Sequence, residues 1–370
     1  MIRLDDVTKI FPGQKSPAVK NLNMEIPEGC VCALIGPSGC GKTTTLKMIN
    51  RLYEPTGGTI YINGQDVSKM DPIELRLGIG YVIQEIGLFP HLTVEDNVAT
   101  VPREKKWPKD TIRQNTEEML RLVGLEPKEF KKRYPSALSG GQRQRVGVAR
   151  ALAADPPILL MDEPFGAVDP ITRTRLQNEF LRIQEQMQKT IAFVTHDIDE
   201  AIKMADNIAV MQEGSLVQYA TPGELLSQPV DEFVAKLVGS DRSIKRLHLI
   251  RCREILKKPA GFLRAGTPLE EVRKEIENSK IRIVLIVDGD NMPQGIISAG
   301  DLEQRTGRVA GDILREIPDY ITGDATLRDA FSMMLEYGQS HVVVTDKNDG
   351  CQGYITLGDL LEVMKDDDAF

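Results

Sequence analysis

The spacing Gly36-x4-Gly41-Lys42-Thr43, inside LIGPSGCGKTTTLKMIN, sets three glycines, one lysine and a hydroxyl within eight residues. Glycine lets successive backbone N–H groups curl around an anion. Lys42 supplies a point charge for outer phosphates, and the Thr43 hydroxyl is placed to ligate the Mg²⁺ that travels with a nucleoside triphosphate. Gly36, Pro37, Ser38, Gly39, Cys40, Gly41, Lys42, Thr43 and Thr44 are therefore the expected triphosphate cradle, and the positive end of the following helix adds to it. Further along, PILLMDEP (157–164) is an apolar strand that delivers two carboxylates at its C-terminal end, where ligands sit in an open α/β sheet. Asp162 is expected to hold Mg²⁺ through its water shell and Glu163 to orient an attacking water. LSGGQ (138–142) opens onto a basic helix and is a second anion-binding helix start. One triphosphate rarely needs two such starts. A head-to-tail pair of chains does, with the Ser139 loop of each covering the nucleotide held by the other.

The elements that must position these groups are legible as pattern. CVCALI (30–35) reads as a buried strand feeding the phosphate loop, and apolar strands are expected at 158–161 and 191–195, each flanked by helical patterns. That alternation indicates a parallel sheet covered by helices. Short strands at 2–7, 22–26 and 59–62, with an Asn63-Gly64 turn, indicate an antiparallel patch near the N-terminus.

At 370 residues the chain can hold two or more domains. An apolar fraction of 41% and a charged fraction of 27% are those of a soluble globular protein. No run of 18 apolar residues and no signal-peptide pattern is found, so a chain that neither spans a membrane nor leaves the cytoplasm is expected. The cysteines (Cys30, Cys32, Cys40, Cys252, Cys351) are odd in number and lack zinc spacing, which predicts reduced, mostly buried thiols. His91, His248 and His341 read as structural, and Trp107 as a surface-packing residue without nucleic-acid stacking.

Charge divides the chain. Residues 261–370 carry 11 Lys+Arg against 21 Asp+Glu, a net of −10, while the whole chain is −8. A shift of this kind predicts a domain boundary. Just before it the basic stretch 241–260, with Ile244, Leu247, Ile250, Ile255 and Leu256, reads as a connecting amphipathic helix. Beyond it lies a repeat with an offset of 58: QGIISAGDLEQ from Gln294 matches QGYITLGDLLE from Gln352, and IVLIVDGDN from Ile283 matches HVVVTDKND from His341. Each copy reads as helix, strand, polar turn, strand, and a short helix beginning at Asp. The expected bounds are 1–240, a linker helix at 241–260, repeats at 261–312 and 313–370, the last including an acidic tail.

Taken in order, the phosphate loop, Gln84 in YVIQEIGLFPHLTV, LSGGQ, ILLMDEP, Asp169 in AVDP and His196 in VTHD resemble the ATP-binding subunit of an ABC transporter over about residues 1–240. The resemblance implies an α/β fold: a P-loop ATPase domain with a mixed sheet, an antiparallel patch and a helical subdomain. It implies a homodimer around two ATP, with Phe11 on adenine, Gln84 at the γ-phosphate, Mg²⁺ and the membrane partner, and His196 on the γ-phosphate. Ser139, Gly140, Gly141 and Gln142 then meet the partner chain's nucleotide, and Asp169 crosses the dimer interface. Phe11 replaces the commoner Tyr and Val168 a frequent Leu; neither change touches the catalytic groups.

Longer stretches resemble the bacterial importers of glycine betaine, carnitine and choline, and the tandem repeat resembles paired CBS domains, a βαβ-type module. That implies permease subunits, an extracellular substrate-binding protein reached through them, and a place on the cytoplasmic face of the cell membrane. The apolar residues Ile86, Leu88 and Phe89 are the expected permease surface. In the Gly-x-x-Ser/Thr-x-x-Asp turns at 295–301 and 353–359, the resemblance puts Ser298 and Thr356 on phosphate and Asp301 and Asp359 on ribose. Cyclic di-AMP is the favoured ligand. A dimerisation surface or an ionic-strength sensor stays open as an alternative, as does another solute such as an amino acid.

Overall fold

The computed structural model describes residues 1–83, 87–166, 168–259, 262–278 and 283–365. Its chain falls into two compact units, Met1–Ser240 and Asp241–Phe370.

The described residues of the first unit form ten strands: β1 (Ile2–Lys9), β2 (Val19–Ile26), β3 (Val31–Ile35), β4 (Gly57–Ile62), β5 (Gln65–Asp66), β6 (Ile79–Val82), β7 (Ile158–Asp162), β8 (Thr190–Val194), β9 (Asn207–Gln212) and β10 (Ser215–Ala220). The order β2-β1-β4-β5 makes an antiparallel sheet, the patch expected from the N-terminal turns. The order β10-β9-β3-β8-β7-β6 makes a second sheet, parallel throughout except for its β10 edge. VCALI, ILLMD and TIAFV are buried along their whole length. Continuous apolar runs of that sort belong to parallel strands covered on both faces. Ile2, Leu22, Ile26, Leu34, Leu46, Ile49, Leu160 and Val194 form one core that joins both sheets to the helix Lys42–Ile49. Helices Val94–Val98, Thr100–Glu104, Lys109–Leu122 and Pro127–Phe130 precede the helix Gly140–Leu152; Val94–Val98 and Lys109–Leu122 pack on it, and Trp107 is half-buried.

The described residues of the second unit form seven strands: β11 (Phe262–Leu263), β12 (Ile283–Val287), β13 (Pro293–Ser298), β14 (Arg315–Glu316), β15 (Tyr320–Thr322), β16 (His341–Thr345) and β17 (Cys351–Thr356). They form two sheets, β11-β12-β13-β14 and β15-β16-β17. Leu285, Val287 and Ile296 of one repeat meet Val343, Cys351 and Tyr354 of the other in a shared core. The short helices start before their aspartates. Ser298 caps Ala299–Gln304, and Asp301 is its third residue, closing a capping box; Thr356 and Asp359 bond in the same way at Leu357–Lys365. A Ser/Thr hydroxyl followed three residues on by a carboxylate satisfies the first N–H groups reciprocally, which fixes the start.

The segment 241–260 is not one connecting helix. Arg242–Arg246 and Cys252–Ile255 are separate short helices, with Arg251 and Leu256 extended beside the second. Ile250 and the first two residues of that second helix bond to the second repeat. Cys252 N donates to Ala325 O at 2.8 Å, Arg253 N to Gly323 O at 2.9 Å, and Leu327 N to Ile250 O at 2.9 Å. Leu247, Ile250 and Cys252 join Leu327, Val344, Ile355 and Leu360 in its core. The same pattern recurs 58 residues later, where Ala310 N donates to Thr267 O, Gly311 N to Ala265 O, and Leu269 N to Arg308 O. Each repeat's leading segment therefore completes the other repeat.

The five cysteines are free, four of them buried and Cys30 half-buried. Among the described residues no helix is long and apolar enough to cross a membrane.

Candidate active site

β3 ends at a loop whose backbone admits only glycine at two points. Gly36 has φ +141° and a Cβ there would sit 2.1 Å from Met211 O; Gly41 has φ +107° and its Cβ would sit 2.6 Å from Ala18 O. Gly41 begins the helix Lys42–Ile49 without a side-chain cap. Its first N–H groups are thereby left to an anion. Lys42 is buried and ties the loop together, its ammonium donating to Gly36 O at 2.7 Å and Pro37 O at 2.8 Å. Cys40 is buried, its sulfur 3.7 Å from the Lys42 ammonium.

Thr43 Oγ1 donates to Asp162 Oδ1 at 3.0 Å, bringing the loop and the end of β7 together across 119 residues of sequence. Burial pushes the Asp162 carboxyl up, and Glu163 adds to it, against the opposing pull of Thr43, Lys47 and Lys42. A hydroxyl and a buried carboxylate side by side are the oxygen donors a hard cation takes, and its charge would offset the cost of keeping Asp162 ionised. These residues fit Mg²⁺. Gln84, expected to join them, lies outside the described residues, as does Ile86.

Glu163 is held in a left-handed conformation, φ +50°. Three backbone bonds fix it: its N–H donates to Val194 O at 3.0 Å, and its carbonyl accepts from Gly166 N at 3.2 Å and from Gln144 Nε2 at 2.8 Å. A non-glycine residue in this region costs energy that the surroundings must supply, a situation typical of active sites. The carboxylate lies 2.7 Å from His196 Nε2, the two side chains 22% and 48% exposed. His196 follows β8, the strand beside β7, so neighbouring strand ends deliver both groups.

Four supporting residues, Gln144, Thr195, Glu200 and Tyr53, escaped the sequence reading. Gln144 comes from the helix that LSGGQ opens, two residues past Gln142, and no motif marks it. The Thr195 hydroxyl bonds the buried Glu200 carboxylate and accepts from Asp197 N at 3.0 Å, bracketing His196. Burial pushes Glu200 up to about 7, Asp197 adding to it and Thr195 and Arg173 opposing. Tyr53 meets Phe11 edge-on, ring centroids 5.2 Å apart at 86°, with Lys9 Nζ 5.3 Å from the Phe11 centroid.

The other predicted residues occupy helix starts. Ser139 is exposed and closes a capping box with Gln142 at Gly140–Leu152, Gly140 and Gly141 being the first helical residues. Asp169 is exposed and caps Pro170–Met187 through Thr172 N at 3.0 Å. Phe89 is 41% exposed, while Asn97 accepts from its N–H and donates to its carbonyl.

In the second unit both oxygens of each predicted aspartate are engaged. Asp301 Oδ2 accepts from the Ser298 hydroxyl (2.6 Å) and backbone N–H, and Oδ1 from Arg315 Nε at 2.5 Å. Asp359 Oδ2 accepts from Thr356 likewise, and Oδ1 lies 2.5 Å from Lys257 Nζ. Burial raises both carboxyl pKa values, but the hydroxyls and cations outweigh it and hold them below the ordinary range.

Comparison with known proteins adds three findings. Residues 19–166 match the ABC transporter family, and residues 252–305 and 310–366 match the CBS domain. The osmoprotectant import ATP-binding protein OsmV of Salmonella typhimurium is 47% identical over 362 residues, 96% of this chain and 94% of that one. The glycine betaine/carnitine/choline transport ATP-binding protein OpuCA of Bacillus subtilis is 42% identical over 369 residues, 99% and 97% of the two chains. Among solved structures, the ADP- and phosphate-bound dimer of the ATP-binding cassette MJ0796 matches with a TM-score of 0.57 at 35% identity, covering 60% of this chain and 99% of that one.

Proposed function

Since the chain belongs to the ATP-binding subunits of ABC importers for osmoprotectants, and itself carries a C-terminal CBS pair, we propose that Lys42, Thr43, Asp162, Glu163 and His196 form its hydrolytic centre. The chain is an ATPase that works as a dimer with membrane permease components and powers uptake of a quaternary ammonium osmolyte of the glycine betaine, carnitine or choline class. The observation that carries the site assignment is the pairing of Thr43 with Asp162 and of Glu163 with His196 at adjacent strand ends.

In this reading Lys42 gives up the Gly36 and Pro37 carbonyls for the outer phosphates, and Phe11, braced by Tyr53, stacks on adenine. Glu163 orients the attacking water and takes its proton, while His196 aligns that carboxylate and reaches the γ-phosphate. Thr43, Asp162 and Gln84 hold Mg²⁺, which when bound neutralises charge on the β- and γ-phosphates. Ser139, Gly140, Gly141, Gln142 and Asp169 serve the nucleotide of the partner chain. The test is ATP hydrolysis by the purified chain: Lys42→Ala should abolish it together with nucleotide binding, and retention of both would overturn the assignment.

The permease is assigned to the surface around Leu88 and Phe89. Asn97 anchors that loop to the helix Val94–Val98, whose residues help line an open cleft of about 520 Å³ with Arg103, Trp107, Ile112 and Thr116. The chain then sits on the cytoplasmic face of the membrane, and a substrate-binding protein acts on the far side of the permease. Residues 241–370 are assigned as a brake set by an adenine-containing ligand, cyclic di-AMP being favoured because two pseudo-symmetric repeats suit a symmetric dinucleotide. An ionic-strength sensor is the second reading, kept by the basic stretch 242–258 although the net charge of residues 261–370 opposes docking on anionic lipid. Calorimetry of residues 241–370 with cyclic di-AMP, ATP and AMP separates them. Binding of none, with loss of salt response in a chain ending near Ser240, replaces the brake by the sensor.

A further inference from the structure

The two cation–carboxylate pairs of the second unit are equivalent under the 58-residue repeat: Lys257 corresponds to Arg315 and Asp359 to Asp301. Both are short, and in both the carboxylate is buried while the cation is about half exposed, 54% for Lys257 and 45% for Arg315. The glycines of the two turns have the same local reason. A Cβ on Gly353 would sit 2.3 Å from Lys257 O, and one on Gly295 would sit 2.7 Å from Arg315 O and 2.6 Å from Leu314 Cδ1. Glycine admits the backbone of the incoming segment, Ser or Thr caps the helix, and Asp receives that segment's cation. The Gly-x-x-Ser/Thr-x-x-Asp turn is thus already filled from within the chain.

Connectivity makes the pairs unequal. Arg315 lies at the start of the second repeat, and its segment pairs with β13 of the first. Lys257 lies on the segment that leaves the first unit at Ser240 and enters the second repeat, where Lys257 and Tyr354 exchange both backbone hydrogen bonds, 2.9 and 3.0 Å. A ligand hydroxyl that takes Asp359 Oδ1 as its acceptor competes with Lys257, because Oδ2 is already filled by Thr356 and the carboxylate is only 8% exposed. Freeing Lys257 loosens the stretch of chain that connects to the ATPase unit. Displacing Arg315 loosens only a connection inside the second unit.

Resting on the reading that residues 241–370 regulate the ATPase, we propose that the Lys257–Asp359 pair is the latch through which ligand binding reaches the first unit, and that Arg315–Asp301 is a structural counterpart without that role. With the latch closed the enzyme runs, and with it open the enzyme is braked.

The test uses the full chain assembled with its permease in liposomes, with hydrolysis measured at rising cyclic di-AMP. Lys257→Gln should run without the probe at the rate the wild type reaches at saturation, its fold response shrinking to about one. Lys257→Arg, which keeps the charge, should restore the response, and this separates loss of the latch from loss of fold. Arg315→Gln should keep the wild-type fold response even if its melting temperature drops. Hydrogen exchange at the Lys257 and Tyr354 amides should quicken when the probe is added to the wild type. A Lys257→Gln chain that responds like the wild type, or an Arg315→Gln chain that loses its response equally, overturns the latch alone. A wild type indifferent to the probe overturns the nucleotide brake, and the latch with it.

Discussion

Glu163 is the residue on which the proposed hydrolysis turns, and its geometry separates that proposed role from binding. Its carboxylate faces His196, while its backbone, fixed by Val194, Gly166 and Gln144, sets the direction of the side chain. Glu163→Gln should keep ATP affinity and lower turnover by about 10²–10⁴-fold, the usual contribution of a positioned general base. The variant should accumulate as an ATP-bound dimer on gel filtration; near-wild-type turnover would remove Glu163 from catalysis. Glu200 gives a different signature. Its folded pKa, about 7 against an ordinary 4.5, means that the fold holds this proton more tightly than the unfolded chain does. Its stabilising contribution is complete below pH 4.5 and is lost as pH rises through 7. Across that window the first unit should lose roughly 3 kcal/mol in chemical denaturation, and Glu200→Gln should flatten the slope. Phosphate-loop residues were legible because each does one job at fixed spacing. Gln144, Tyr53 and Glu200 were not, since they act through partners distant in sequence that no periodicity reveals.

At the scale of elements, unbroken apolar runs announced β3, β7 and β8, and short strands with an Asn63-Gly64 turn announced the antiparallel sheet. The segment before the repeats was misread for a physical reason. Ile244, Leu247, Ile250, Ile255 and Leu256 look like one helical face, but the residues around Cys252 owe their burial to the second repeat. Long-range pairing outweighed local propensity. A fragment of residues 261–370 lacks Leu247, Ile250 and Cys252 from that core. Buried truncations cost about 2–5 kcal/mol each, against a domain's net stability of about 5–15 kcal/mol. Residues 241–370 should therefore melt cooperatively in circular dichroism while 261–370 should not, and an equally sharp transition in the shorter fragment would contradict the exchange of leading segments. The loop at Leu88 and Phe89 belongs to this scale too. Phe89→Glu should leave nucleotide binding and melting temperature within experimental error and abolish stimulation of hydrolysis by the permease; a large fall in melting temperature would make the residue part of the core instead.

For the whole molecule the central claim is that two chains make two shared sites. Within one chain the Ser139 loop is exposed at a helix start, its own side chains closing a capping box, and Asp169 is exposed at another. Within one chain each residue caps its own helix and stays open on its other side. Both suit a nucleotide held by Lys42 of one protomer beneath the Ser139 helix of its partner, whose N-terminal end favours phosphate. Two inactive variants, Lys42→Ala and Ser139→Arg, decide the matter when mixed. Each homodimer carries a lesion in both sites, whereas the heterodimer collects both lesions in one site and leaves the other intact. Single-turnover hydrolysis of the equimolar mixture should recover to about a quarter of the wild-type amplitude, since about half the dimers are mixed and each keeps one site. No recovery at any mixing ratio would contradict sites shared between chains.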